Sequence, residues 1–165
     1  MSRGNFLQPI PLRYNVGMTE LQIYELTEIT DEVVIAFQRL VPQLSSANPP
    51  PSREDLQAML AAQGTTVFAT RHGKFGEEII GSLTLVLYQI PTGRRARIED
   101  VIVDERARGL GIGEALTRLA VERAFSAGAA NVELTSNPAR IAANRLYQRL
   151  GFTLRQTNVY RYLPK

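Results

Sequence analysis

The sequence predicts a mixed α/β fold, with helices covering both faces of a mostly antiparallel sheet of six to seven strands. Three observations lead there. β-branched and aliphatic runs at 65–70, 79–89 and about 96–103 follow one another through short glycine-bearing turns, which makes a meander of antiparallel pairs. A strand–helix–strand stretch comes after Val103, and a crossover of that kind joins parallel neighbours. Helical periodicity brackets the meander on both sides.

The elements follow in order. Residues 1–18 hold Gly4, Pro9, Pro11 and Gly17 with little periodicity and read as an extended or flexible arm; residues 19–165 read as one domain. Leu21 to Leu26 is a first strand. Thr30 or Asp31 caps a helix through about Leu40, with Val33, Val34, Phe37 and Leu40 on one side. Leu44 to Pro51 is a linker, because three consecutive prolines cannot continue a helix. Ser52 to Asp55 forms a capping start for a helix reaching Gln63, which Gly64 ends. After the meander, a helix from about Gly111 to Ala127 sets Ile112, Ala115, Leu116, Leu119 and Ala120 on one face. Val132 to Thr135 is a short strand. Asn137-Pro138 starts a last helix that stops at Gly151, and Thr153 to Leu163 reads as a final strand or hairpin.

The 165 residues suffice for one core, and 44% hydrophobic with 21% charged residues is a globular composition. Absence of cysteine excludes disulfides, thiolate metal sites and a cysteine-bound acyl group, and a lone His72 leaves no histidine metal cluster. No apolar run has the length of a membrane span and the first residues lack a signal-peptide pattern, so a cytoplasmic location without membrane attachment is expected. Net charge is only +3, yet Arg94, Arg95, Arg97, Arg106 and Arg108 fall close together, which points to a local anionic ligand.

Arg106-Ala-Arg108-Gly109-Leu-Gly111-Ile-Gly113 follows a strand and opens a helix. Glycines let consecutive N–H groups point into one concavity, and the helix adds unpaired N–H groups and the positive end of its dipole. That combination suits a phosphate. A P-loop requires Gly-Lys-Ser/Thr and a dinucleotide fingerprint requires G-x-G-x-x-G; Glu114 after Gly113 defeats both.

The segment resembles motif A of the GCN5-related N-acetyltransferase (GNAT) superfamily, Arg/Gln-x-x-Gly-x-Gly/Ala, through Arg108, Gly111 and Gly113; an overlapping match runs through Arg106, Gly109 and Gly111. Arg97-Ile-Glu-Asp-Val-Ile-Val-Asp104 is similar to the family's fourth strand, and Asn137 to Phe152, with Ala143, Tyr147 and Gly151, to its motif B. The resemblance implies the GNAT fold, with one parallel strand pair splayed at the cofactor site, and acetyl-CoA as donor. It implies that the main chain of Arg108, Gly109, Leu110, Gly111, Ile112 and Gly113 holds the diphosphate. Val101, Ile102 and Val103 would offer main-chain bonds to the pantetheine and thioester carbonyl, with an oxyanion donor near Val101. Asn137, Arg140, Asn144 and Tyr147 would complete the cofactor contacts; Arg140 stands where many relatives have asparagine, so its contact is not carried over unchanged.

An alkyl amine is protonated at pH 7, and freeing it costs about 4–5 kcal/mol, so a base is expected. Glu99 is the candidate, two residues before Val101 on the same strand face; the other reading is that it orients a substrate cation by charge alone. Asp100 points away unless a β-bulge intervenes. Arg97 contacts an anion or forms a salt bridge. Tyr147 is the family's usual proton donor to the leaving thiolate. The expected reaction is acetyl transfer to the primary amine of a small molecule, with an anionic one among the options, by direct attack in a ternary complex, in a homodimer and without metal. Ile98-Glu-Asp-Val resembles glucosamine-phosphate acetyltransferases, and Thr135 to Phe152 with the tail Asn158 to Arg161 resembles aminoalkylphosphonate acetyltransferases. Acetylation of protein lysines or N-termini, or acyl-CoA binding without turnover, stays open. Nucleic acid is not expected, since no aromatic residues interleave with the arginines.

Overall fold

Thr30 accepts a hydrogen bond from the Val33 N–H at 3.3 Å and thereby starts the helix α1, Asp31–Leu44. The structure, a computed structural model, describes residues 12–16, 19–45 and 49–164. α1 continues through Pro42 to Leu44, a turn further than expected; Gln43 helps hold its last turn by donating to the Arg39 carbonyl at 3.2 Å. α2, Arg53–Ala61, has a reciprocal capping box between Ser52 and Asp55. Its chain then turns at Gly64, whose φ of 83° falls in the left-handed region that glycine occupies without strain.

The sheet has six strands in sequence order: β1 (Leu12–Val16), β2 (Thr19–Glu25), β3 (Thr65–His72), β4 (Ile79–Ile90), β5 (Gly93–Val103) and β6 (Val132–Glu133). β1 lies within the segment read as an extended arm; residues 1–11 lie outside the described residues. Every neighbouring pair is antiparallel except β5 and β6, the parallel pair. The helix α3, Ile112–Ser126, is the crossover between them.

Alternation along β3 separates two cores. Val67 and Ala69 pack with Val33, Phe37 and Leu40 of α1 and Leu56 of α2. Thr70, one residue on, faces the opposite side, where its methyl and that of Ile112 at the start of α3 flank Gly81. A Cβ on Gly81 would lie 2.9 Å from the Thr70 methyl, 3.0 Å from the Ile102 carbonyl oxygen and 3.4 Å from the Ile112 methyl. Glycine is required there for α3 to begin close against the sheet. The lone His72 is buried, and its Nδ1 accepts from the Lys74 N–H at 3.2 Å, so it caps a short 3-10 turn.

The chain divides into two compact units, Met1–Thr135 and Ser136–Lys165. The second contains α4, Ile141–Arg149. Two expectations fail within it. α4 starts at Ile141 rather than Pro138, because Asn137 spends its side-chain oxygen on the Ala139 N–H at 2.9 Å and closes a turn before the helix. Thr153 to Leu163 forms no strand: Leu154 and Tyr160 are 93% and 88% exposed, and these residues appear in no ladder of the sheet. Strand propensity without a pairing partner does not make a strand.

Candidate active site

β5 contains one residue more than β4 between matched positions. Ser82 pairs with Ile102, but Thr84 pairs with Glu99, so Asp100 and Val101 together oppose Leu83. Asp100 takes a φ of 47°, the only positive φ outside glycine among the described residues. The extra residue reverses the direction of the main-chain groups. Before it, the Ala96 N–H donates to the Asn131 carbonyl at 3.1 Å, towards β6; after it, the Asp104 N–H donates to the Ile80 carbonyl at 2.9 Å, towards β4. Even-numbered residues thus change sides, and the main-chain groups of Val101 and Val103 point to the β6 side. β6 pairs only as far as Arg97↔Glu133, which leaves that edge of β5 without a strand partner among the described residues.

The bulge corrects one expectation. Ser82 and Thr84 share a face of β4, so Glu99 shares its side of the sheet with Ile102 and not with Val101. Ile102 itself is buried in the core under α1 and α2 and its main chain is directed to β4, so it offers nothing to the open edge. The Glu99 carboxylate accepts from Arg97 Nε, and Arg97 also donates to the Thr135 hydroxyl at 3.2 Å. The salt-bridge reading of Arg97 is therefore the one observed. Asp100 is solvent-exposed in outline, yet enough chain surrounds its carboxyl for desolvation to raise its pKa, and the neighbouring Glu99 charge adds to the rise.

Beyond Asp104 a 3-10 turn, Glu105–Ala107, leads into the glycine loop. Gly109 and Gly111 have φ values of 82° and 75°, which turn the backbone so that α3 starts at Ile112 with no side-chain cap. The first α3 bond is from the Ala115 N–H to the Gly111 carbonyl at 3.0 Å. The N–H groups of Gly109, Leu110, Gly111, Ile112, Gly113 and Glu114 have no protein acceptor among the described residues. The Ile112 side chain is buried and fixes the loop from behind. A run of unpaired donors at a helix start fits a diphosphate, and the open main-chain edge of β5 beside Val101 and Val103 fits an extended amide chain such as pantetheine.

The arginine cluster seen in the sequence disperses. Arg94 donates to the Ala127 carbonyl at the end of α3, 2.7 Å away, and Arg95 folds back onto Thr92. Arg97 holds Glu99. Arg106 bonds Asp104 at 2.8 Å and Glu78 at 2.6 Å. Of the five, Arg108 alone has no side-chain partner among the described residues, and it is exposed. Sequence reasoning missed Asp104, which is 1% exposed and anchors the loop through Arg106 and Arg39. Its place at the end of an apolar strand, two residues before Arg106, was a readable capping signal; nothing in the sequence pointed to Arg39.

In the second unit, Tyr147 is buried, stacks edge-on against Phe152 with ring centroids 5.9 Å apart, and makes no hydroxyl hydrogen bond among the described residues. Burial raises its pKa above the ordinary phenol value, with Arg140 opposing in part. Arg140 is the residue preceding α4 and is exposed. Asn144 donates to the carbonyls of Asn137 at 3.0 Å and Pro138 at 3.4 Å; its amide nitrogen is committed to the turn, leaving its carbonyl for other partners.

A bulged strand with an open edge, followed by a donor-lined glycine loop at the start of the next helix, fits the acetyltransferase arrangement that the sequence resemblance implies. The chain belongs to the acetyltransferase (GNAT) family, whose pattern matches residues 27–152. No curated protein matches it in sequence. Among solved structures, a transcriptional regulator from Bacillus halodurans is 28% identical, with a TM-score of 0.69 over 87% of this chain and 99% of that one. A Trypanosoma brucei acetyltransferase is 27% identical, with a TM-score of 0.69 over 87% and 99%. An aminoglycoside acetyltransferase from an uncultured soil metagenomic sample shares the fold at 23% identity, with a TM-score of 0.73 over 88% and 96%.

Proposed function

We propose that this protein transfers an acetyl group from acetyl-CoA to the primary amine of a small molecule by direct attack. The observation that carries the reading is the run of unpaired N–H groups from Gly109 to Glu114 behind the open edge of β5. Acetyl-CoA, when bound, supplies the activated acyl carbon. The loop N–H groups hold its diphosphate, with Arg108 adding charge at the rim. Main-chain groups of Val101 and Val103 hold the pantetheine, and the Val101 N–H donates to the carbonyl oxygen as negative charge develops there.

Glu99 attracts the acceptor ammonium and takes its proton, directly or through water, before nitrogen bonds to the acyl carbon. Arg97 orients that carboxylate. Tyr147 gives its proton to the sulfur as the carbon–sulfur bond breaks. Arg94, Arg95 and Arg97 are engaged within the protein, so an anionic group on the acceptor would have to meet another cation, such as the exposed Arg140.

The test is thiol release from acetyl-CoA across a panel of amines. The panel spans phosphorylated amino sugars, aminoalkylphosphonates, an aminoglycoside, polyamines, and peptides with a lysine or a free N-terminus. Saturable turnover with a small amine supports the reading. Turnover confined to peptides, or none with any amine, contradicts it.

A further inference from the structure

Arg39 and Gln43 stand one turn apart on α1, and both reach the root of the glycine loop. Arg39 forms an ion pair with the buried Asp104 carboxylate, bonds Glu78 at 3.0 Å and donates to the Ile79 carbonyl at 2.7 Å. Gln43 accepts from the Glu105 N–H at 2.9 Å, with its amide oriented by its own bond to the Arg39 carbonyl at 3.2 Å. Asp104 in turn accepts from the Arg106 N–H at 3.0 Å. The 3-10 turn that feeds the loop is therefore gripped at its first N–H groups, and its Ala107 is fully buried.

The grip has a purpose that packing alone does not require. Gly109 and Gly111, both left-handed, lose more backbone freedom on ordering than other residues would, so the loop's free donors depend on what flanks them to stay in register. Ile112 fixes the far side; α1 fixes the near side. The charges in the grip are balanced, Arg39 and Arg106 against Asp104 and Glu78, which leaves it no net charge for a ligand.

We infer that Arg39 and Gln43 are positioning residues that preorganise the Gly109–Glu114 donors for a diphosphate without touching it. The inference rests on the proposed reading of that loop as the coenzyme A site. It predicts a loss of affinity that depends on whether the ligand carries the diphosphate.

The experiment compares wild type with Gln43→Ala and Arg39→Lys, using coenzyme A and pantetheine as ligands. Calorimetry gives the coenzyme A affinity, and amide shifts of Val101 and Val103 give that of pantetheine. The expected result is coenzyme A binding about tenfold weaker in each variant, with pantetheine binding unchanged. Equal weakening of both ligands, or unchanged coenzyme A affinity, overturns the inference. Should Arg39→Lys fail to fold, Gln43→Ala decides, since it removes two hydrogen bonds and strands no buried charge. Wild type that binds neither ligand would defeat the cofactor reading itself, and this inference with it.

Discussion

Glu99 and Ile102, three residues apart on one strand, lie on the same side of the sheet because Asp100 is a residue in excess of its partner strand. The same excess turns the main-chain groups of Val101 and Val103 towards the unpaired edge. The side taken by Glu99 and the direction of the open edge of β5 thus depend on one backbone irregularity.

Asp100 tests the electrostatics of that irregularity. Its folded-state pKa is raised, by desolvation first and Glu99 second, so its favourable protonated state is fully present only below the unfolded value of about 3.9 and is lost as pH rises through the folded value. Asp100→Asn keeps a side chain that tolerates the left-handed backbone and removes the charge. Thermal melts are expected to show the variant more stable than wild type at pH 7, with the difference vanishing towards pH 3. An equal difference at both pH values would contradict the assignment.

Gly81 links the sheet to the helix that follows the glycine loop. A side chain there meets Thr70, the Ile102 carbonyl and Ile112, the first residue of α3. Gly81→Val is expected to cost about 1–3 kcal/mol in denaturant unfolding and to weaken coenzyme A binding as well. Retained affinity in a folded variant would show that α3 need not begin so close to the sheet.

How much of this was legible in advance varies for physical reasons. The motif from Arg97 to Gly113 was readable because glycine at left-handed positions and a helix start leave a local signature. The capping box at Ser52 was readable for the same reason. The bond of Arg94 to the Ala127 carbonyl and that of Arg106 to Glu78 were not, because each depends on where the chain brings a distant carbonyl or carboxylate, whereas the Arg97 salt bridge was one of two readings; five arginines close in sequence looked like one anion site and are mostly structural. The bulge was foreseen only as a condition, since its position follows from pairing with β4. The strand expected at Thr153–Leu163 failed because a β-rich sequence says nothing about whether a partner edge is available.

Tyr147 separates chemistry from folding. Its hydroxyl bonds nothing among the described residues, so Tyr147→Phe is expected to leave the melting temperature close to that of wild type. The kcat for acetyl transfer should fall about a hundredfold, with KM for acetyl-CoA little changed. Stopped assays of thiol release decide it, and an unchanged kcat removes the residue from the reaction.

Gly111 carries the left-handed turn at the start of α3. Gly111→Val puts a β-branched side chain at a φ of 75°, which costs about 1–2 kcal/mol and disturbs the donors it leads into. Calorimetry is expected to show coenzyme A affinity reduced at least about tenfold in a protein that still folds. Wild-type affinity would mean that the loop geometry is irrelevant to the ligand.

The most direct measurement is amide hydrogen exchange across residues 109–114 with and without coenzyme A. If the diphosphate occupies these donors, their exchange slows on addition of coenzyme A, and pantetheine leaves it unchanged. Exchange that stays as fast with coenzyme A as without it, at a concentration that saturates binding, would show that the cofactor is held elsewhere.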